Sequence, residues 1–368
     1  MKSEDNNDSL EDDIRFGIIP IETRNLLLLF LTLLCFGLAA CGTKRQTSDH
    51  YLNLFVWSDY IPIKTLNDFE KTTGIKVHFD TFDSNEAMLE KLQSGVSEYD
   101  VIVPSDFMVG TLRNQNLLDK LDPKRIPNLK NIGKRFLNLS YDPNNENTVP
   151  FLWSTTGIGY NKTKIKEPVD SWGILWEEKY KDRILMLDDM REVFGAALKW
   201  KGHSLNSTNP ADLLEAKNLL LLQKPLVKMY NSTNFDEALL GGDVWLSHGW
   251  SGNFARVIAQ NHDLAYVIPK EGSAYAVENF VIPKGAKHLD EAYAFINYCL
   301  EPKVGAEITN MSGYPNSNEA AKAYIKPEIL NDPVIYPDEQ TLARCELMND
   351  LGPTTEILDR YWTEIKSK

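Results

Sequence analysis

Cysteine is scarce in this chain, with four in 368 residues and no CxxC pair. Cys35 and Cys41 fall in an apolar stretch near the N-terminus, which leaves Cys299 and Cys345 for the remainder. Cys299 lies in an apolar helical pattern and reads as a buried free thiol. A bridge to Cys345 stays open, because pairing is not deducible from spacing. The six histidines show no ligand spacing, so neither a metal nor a cofactor is expected. Basic residues are in deficit, 39 against 52 acidic ones, for a formal net charge of −13. Such a chain lacks the basic footprint of sequence-independent nucleic-acid binding, so no nucleic-acid partner is expected. The same balance suits a cationic ligand, or solubility alone. No internal repeat occurs, and no low-complexity segment beyond residues 1–23. With 43% hydrophobic and 25% charged residues the composition is globular, and the length suits two lobes better than one core.

No apolar run reaches the roughly 20 residues of a spanning helix. Asn25–Ala40 (NLLLLFLTLLCFGLAA) falls short of it, is preceded by Arg24 and closes on small residues, the layout of a signal peptide. Leu38-Ala39-Ala40-Cys41-Gly42 matches the bacterial lipobox, in which the cysteine thiol takes diacylglycerol and becomes the mature N-terminus. Several acyl chains together anchor a protein stably. A plain cleaved leader or an uncleaved anchor are the alternatives. Residues 1–23 are acidic (Glu4, Asp5, Asp8, Glu11, Asp12, Asp13), against the positive charge a leader wants, which points to a translation start further downstream. That segment is expected to be disordered. Residues 1–41 are therefore read as a leader with lipidation at Cys41, and 42–50 as a polar tether. The mature protein is expected outside the cytoplasm, in the periplasm or its equivalent, held to a membrane by lipid.

The mature chain alternates strand and helix. Leu52–Trp57 reads as an apolar strand. A helix follows over Tyr60–Thr73, with Ile63, Leu66 and Phe69 on one face and Gly74 as its stop. Ile75–Phe82 reads as a strand, Asp83 with Glu86 as a capping box for the next helix, and Tyr99–Pro104 as a buried strand. A second series holds the strand Arg183–Leu187, a helix over Met190–Trp200, a helix opened by Asn209-Pro210, and strands at Val244–His248, Asp263–Ile268 and Val277–Ile282. Helices close the chain around Leu289–Leu300 and Thr354–Ile365. The alternation predicts an α/β fold, with a parallel sheet from the first series, and ligands on such sheets sit at the carboxyl ends of strands.

Those strand ends offer Trp57, Tyr60, Ser105, Phe107, Asp189, Glu192, Trp250 and Glu278. The set is aromatic walls and carboxylates with no basic residue among them. Aromatic faces pack methylenes and attract cations, and carboxylates accept charge-assisted hydrogen bonds from ammonium groups. Asp189 and Glu192 are three apart at a helix start and can share a face. Blander readings stand beside this one. Asp188 or Asp189 caps the helix, Glu192 pairs with Arg191 or a lysine on a solvated face, Trp57, Trp153 and Trp250 are core aromatics, and Asp106 faces solvent. Spacing alone stops at a two-lobed α/β binder.

FVWSDY (55–60), TGIKVHFDTFDSNEAML (73–89), YDVIVPSDF (99–107), TVPFLWSTTGIGYN (148–161), LDDMREVFGAAL (187–198), HGWSG (248–252), VIPKEG (267–272), SGYPNSNEAA (312–321) and MNDLG (348–352) extend the argument. Across these segments the chain resembles the bacterial spermidine/putrescine-binding proteins of polyamine ABC transporters. The resemblance implies a two-lobed type II periplasmic-binding-protein fold with a ligand cleft between lobes. One lobe would take 51–154 plus 277–323, the other 155–276 plus 324–368. It implies capture of a polyamine outside the cytoplasm, delivery to an ABC permease, and a monomer that is not an enzyme. Ligand contacts would fall on Trp57, Tyr60, Ser105, Phe107, Asp189, Glu192, Trp250, Glu278 and Tyr314, with the carboxylates holding ammonium groups and Trp57, Tyr60, Trp250 and Tyr314 forming an aromatic box. Ser58 and Ser232 are further polar positions near the cleft. Three positions depart from the family pattern: Phe107 replaces a tyrosine, Ala276 a tryptophan, and Met348 a glutamine that holds a terminal amine.

Three alternatives remain at this point. One is a carrier for another small amine such as agmatine. The second is an enzyme, for which His248 is the nearest base, without an evident Ser or Cys partner. The third is a surface adhesin or sensor using the same fold. Gly157-Ile158-Gly159 is too short a match to indicate phosphate binding.

Overall fold

The computed structural model describes residues 50–58, 60–95 and 98–367. The leader, Cys35, Cys41, nearly all of the tether and Asp59 lie outside the described residues. The strands are β1 (Tyr51–Trp57), β2 (Lys76–Phe82), β3 (Val101–Ile102), β4 (Val149–Asn161), β5 (Ile184–Met186), β6 (Val227–Tyr230), β7 (Leu246–Trp250), β8 (Leu264–Val267), β9 (Ala274–Phe280) and β10 (Glu346–Leu347). They form two sheets. The first is three-stranded and parallel, in the order β2-β1-β3. The second runs β10-β9-β4-β7-β5-β6, with β8 also on β4. It is mixed: β5 is parallel to β6 and β7, whereas β4 is antiparallel to β7, β8 and β9.

β4 passes between two cores. Its Val149, Phe151 and Trp153 belong to the core built on β1, the helix Ile63–Thr73 and the helix Leu289–Cys299. Its Ile158 belongs to the core of β5, the helix Met190–Trp200 and the C-terminal helix Thr354–Ser367. β4 and β9 also alternate by face. Ser154 and Ala276, a register pair, point into a cleft, while Trp153 and Tyr275 meet on the other face with ring centroids 5.5 Å apart.

Most element boundaries fall where the sequence places them. The first helix starts later than expected, at Ile63, because Pro62 occupies its N-cap; it ends on Gly74, whose φ of 76° is left-handed as the stop signal requires. Asn209 Oδ1 caps the helix Pro210–Gln223 at the Ala211 N–H, as expected. The capping box at Asp83 is not formed. Ser84 is the N-cap, accepting from the Ala87 N–H at 3.1 Å, since its extended backbone aims the short hydroxyl at that donor. Cys299 is a buried free thiol and Cys345 is also free, so the bridge between them is not formed. Gly157 and Gly159 lie in mid-strand, where an added Cβ would meet Val267 O at 2.3 Å and the Phe254 ring at 2.2 Å. Close packing accounts for both. Among the described residues no helix is long and apolar enough to cross a membrane.

Candidate functional site

The carboxyl ends of β1, β3, β5 and β7 and the middle of β9 converge on one cleft. Trp57 ends β1, Ser105 and Asp106 follow β3, Asp189 follows β5, Trp250 ends β7, and Ala276 and Glu278 stand on β9. All of them line the cleft, together with Ser58, Tyr60, Phe107, Glu192, Ser232, Tyr314 and Met348. Every candidate ligand contact named from the sequence is therefore in one place.

Two carboxylates are held by the same kind of partners. Glu278, 4% exposed, accepts the Trp57 indole N–H at 3.0 Å, and Ser105 Oγ lies 3.0 and 3.1 Å from its two oxygens. Asn85 positions that serine, donating to its Oγ at 3.0 Å and accepting its N–H at 3.2 Å. Glu192, 6% exposed, accepts the Trp250 indole N–H and the Thr156 hydroxyl, both at 2.9 Å on Oε1. It sits on no solvated face and forms no ion pair with Arg191. Asp189 both lines the cleft and caps the helix Met190–Trp200, its Oδ1 accepting the Glu192 N–H at 3.0 Å. Asp189 thus caps the helix and still stands on the cleft wall.

Aromatic rings cover the rest. Tyr60 and Tyr314 lie 4.8 Å apart by centroid, Trp57 packs on Phe82 at 4.5 Å, and Phe235 meets the edge of Trp250 at 5.4 Å. Trp57 and Trp250 are half-buried cleft walls rather than core residues, whereas Trp153 is core.

Burial sets the electrostatics. It pushes Glu192 up to about 8, with the Asp189 charge adding and the bonds from Trp250 and Thr156 opposing. It pushes Glu278 up to about 8 as well, with the Asp106 charge adding. Asp189 is raised for the same first reason. Buried carboxyls without a counter-ion favour the neutral form, and a cation placed among them reverses that preference.

Three features escaped the sequence reading. Asp106 does not face solvent: it is 1% exposed at the cleft, and burial pushes it up to about 7. Its Oδ1 accepts the Phe107 N–H at 2.8 Å, which its place at a helix start after β3 allowed one to foresee. A basic residue does stand beside the site, since Arg191 is 5% exposed with its guanidinium 5.5 Å from the centre of the Phe107 ring. Thr156 became visible as a partner only once β4 was placed beside the helix bearing Glu192. His248 is fully buried with neither ring nitrogen hydrogen-bonded, its edge against Trp172, and burial drives its pKa down to about 3. It is a neutral core residue. Among the described residues no group of three or more His, Cys, Asp or Glu side chains could hold a metal.

The model of the family described as bacterial extracellular solute-binding protein matches residues 64–336. The chain belongs to that family. This solute-binding protein is 35% identical over 336 residues to the spermidine/putrescine-binding periplasmic protein of Salmonella typhimurium, covering 91% of this chain and 96% of that one. It is 36% identical over 349 residues to the putrescine/cadaverine-binding protein of Pseudomonas aeruginosa, covering 91% and 98%. Among solved structures, the TpPotD lipoprotein of Treponema pallidum superimposes with a TM-score of 0.80 at 33% identity, covering 86% of this chain and 100% of that one. The fold of this solute-binding protein is accordingly the two-lobed type II periplasmic-binding-protein fold.

Proposed function

We propose that this protein captures a polyamine of the spermidine/putrescine type outside the cytoplasm and delivers it to the permease of an ABC transporter. One observation carries the reading. Two buried carboxylates, Glu278 and Glu192, are each fixed by an indole N–H and a hydroxyl inside an aromatic cleft. A flexible methylene chain with ammonium groups matches that lining: the rings pack the methylenes, and the carboxylates accept from the ammoniums. The names of the relatives agree with it. Trp57, Tyr60, Ser105, Asp189, Glu192, Trp250, Glu278 and Tyr314 are the contacts assigned, with Phe107, Ser58, Ser232, Ala276 and Met348 completing the wall.

The chain acts as a monomeric carrier and not as an enzyme. The lobes divide at the crossing strands, as 51–154 plus 277–323 and 155–276 plus 324–368, and close over the ligand. The passage of β4 from one core to the other supports that division. Cys41 carries the lipid that holds the mature protein at the membrane surface.

Calorimetric titration of the mature protein with putrescine, cadaverine and spermidine tests the reading. Saturable one-to-one binding of at least one of them is expected. Absence of heat and of any thermal stabilisation by all three sinks it.

A further inference from the structure

Three side chains form a relay that runs back from the cleft wall. Tyr314, 3% exposed, donates its hydroxyl proton to Asn253 Oδ1 at 2.5 Å. Both residues line the cleft, so this bond lies in its wall. Asn253 in turn donates from Nδ2 to Asp236 Oδ2 at 3.2 Å. Asp236 is 4% exposed and stands behind the lining, with the Arg256 guanidinium 3.9 Å from the same oxygen. Packing keeps the three in place. Phe235 and Phe254, the chain neighbours of Asp236 and Asn253, meet edge to face at 5.3 Å, which ties the helix Phe235–Leu240 to the helix Ser251–Gln260. Gly252 lets the Tyr314 ring come up to the second helix, since an added Cβ there would meet the ring at 2.6 Å.

The chemistry of the relay has a direction. A carboxylate only accepts, whereas an amide accepts on one side and donates on the other. Asp236 therefore fixes which side of the Asn253 amide faces Tyr314, because the reversed amide would set its oxygen against the carboxylate. With the amide oxygen turned to it, the Tyr314 hydroxyl commits its one proton to Asn253. Burial drives that hydroxyl well above its ordinary pKa, with the Arg256 charge opposing and the Asp236 charge adding, so the proton stays on. What Tyr314 has left to offer a ligand is lone pairs, which suit an ammonium N–H.

We propose that Asp236 is a positioning residue for ligand recognition: acting through Asn253, it makes Tyr314 an acceptor toward the cleft and so matches that wall to a cationic donor. The inference rests on the polyamine reading above and adds to it a residue that the ligand does not touch.

The test is a double-mutant cycle by calorimetry on the mature protein, with putrescine, cadaverine and spermidine as probes and thermal melts to establish folding. Asp236→Asn keeps the size of the side chain and frees the Asn253 amide to turn, so that Tyr314 accepts from it and aims its own proton at the ligand. Affinity should fall about fivefold, as for one hydrogen bond lost. In a Tyr314→Phe background the same change should leave affinity unaltered, because no hydroxyl remains to be oriented. Wild-type affinity in Asp236→Asn overturns the proposal. So does a loss undiminished beside Tyr314→Phe, which would mean that Asp236 acts through the fold alone. If Asp236→Asn does not fold, Asn253→Ala, which removes the acceptor of the Tyr314 proton, goes through the same cycle and the same two outcomes decide. Binding of none of the three amines by the wild type removes the polyamine reading, and this inference with it, whereas binding without the coupling removes this inference alone.

Discussion

Trp250 donates its indole N–H to Glu192 Oε1 over 2.9 Å, from the last residue of a strand to the first turn of a helix in another part of the chain. The bond fixes at once a ring of the cleft wall and a buried carboxylate, the two groups proposed to pack and to neutralise the ligand. Trp250→Phe keeps an aromatic face and removes only the donor. Bonds to charged groups contribute about 1.5–3 kcal/mol, so polyamine binding should weaken by roughly that amount, as read by calorimetry. Glu192→Gln and Glu278→Gln should each cost more, about 2–5 kcal/mol, the range for truncating one side of a buried charged pair. Wild-type affinity in both amide variants would place the ligand elsewhere.

Proton release should accompany capture. In the empty cleft Glu192 and Glu278 titrate near 8, each raised first by burial. At pH 6 both hold protons, which entering ammonium groups must displace. Affinity should therefore fall as pH drops below about 8, and calorimetry in buffers of different ionisation enthalpy should register protons leaving.

The same shifts set the stability of the empty protein. Both carboxyls bind protons more tightly folded than unfolded, against a reference of 4.5. Their contribution is complete below about pH 4.5 and is lost as pH rises through about 8. Melting temperatures of Glu278→Gln should fall less steeply than those of wild type between these limits. Parallel curves would show that Glu278 stays ionised when the cleft is empty.

Asp189 has two roles that substitution can separate. Asparagine is as good an N-cap as aspartate, whereas alanine removes the cap at about 1 kcal/mol. Asp189→Asn should keep the melting temperature near that of wild type and weaken polyamine binding. Asp189→Ala should lower both. If asparagine binds ligand like wild type, the residue only caps the helix.

Anchoring is tested by fractionation. Cys41→Ser should abolish incorporation of labelled lipid and move the protein from the membrane to the soluble fraction. Equal labelling of the variant would place the lipid on another residue.

Much of this architecture was legible because apolar periodicity and stop signals are local. The strand Leu52–Trp57, the stop at Gly74 and the cap at Asn209 each depend on a few adjacent residues. Strand directions in the second sheet were not legible, because the direction of β4 against β7, β8 and β9 is set by long connections, on which strand composition is silent. The site residues came chiefly from family resemblance. What neither spacing nor resemblance supplied was depth. Asp106 and Arg191 are polar side chains in short polar runs, as surface residues are, and only the packing of β9, Phe107 and the 347–349 segment around them buries them.

The face alternation of β4 and β9 constrains how such a protein can diversify. Ser154 and Ala276 look into the cleft, and their neighbours Trp153 and Tyr275 look away from it. Inserting or deleting one residue in either strand would exchange the two sets, placing core aromatics in the cleft and cleft residues in the core. New ligand preferences on this scaffold must therefore arise by replacing side chains at alternate positions while strand length stays fixed. A lineage changing its diet would leave a record of point substitutions at 154, 276 and 278, and no gaps beside them.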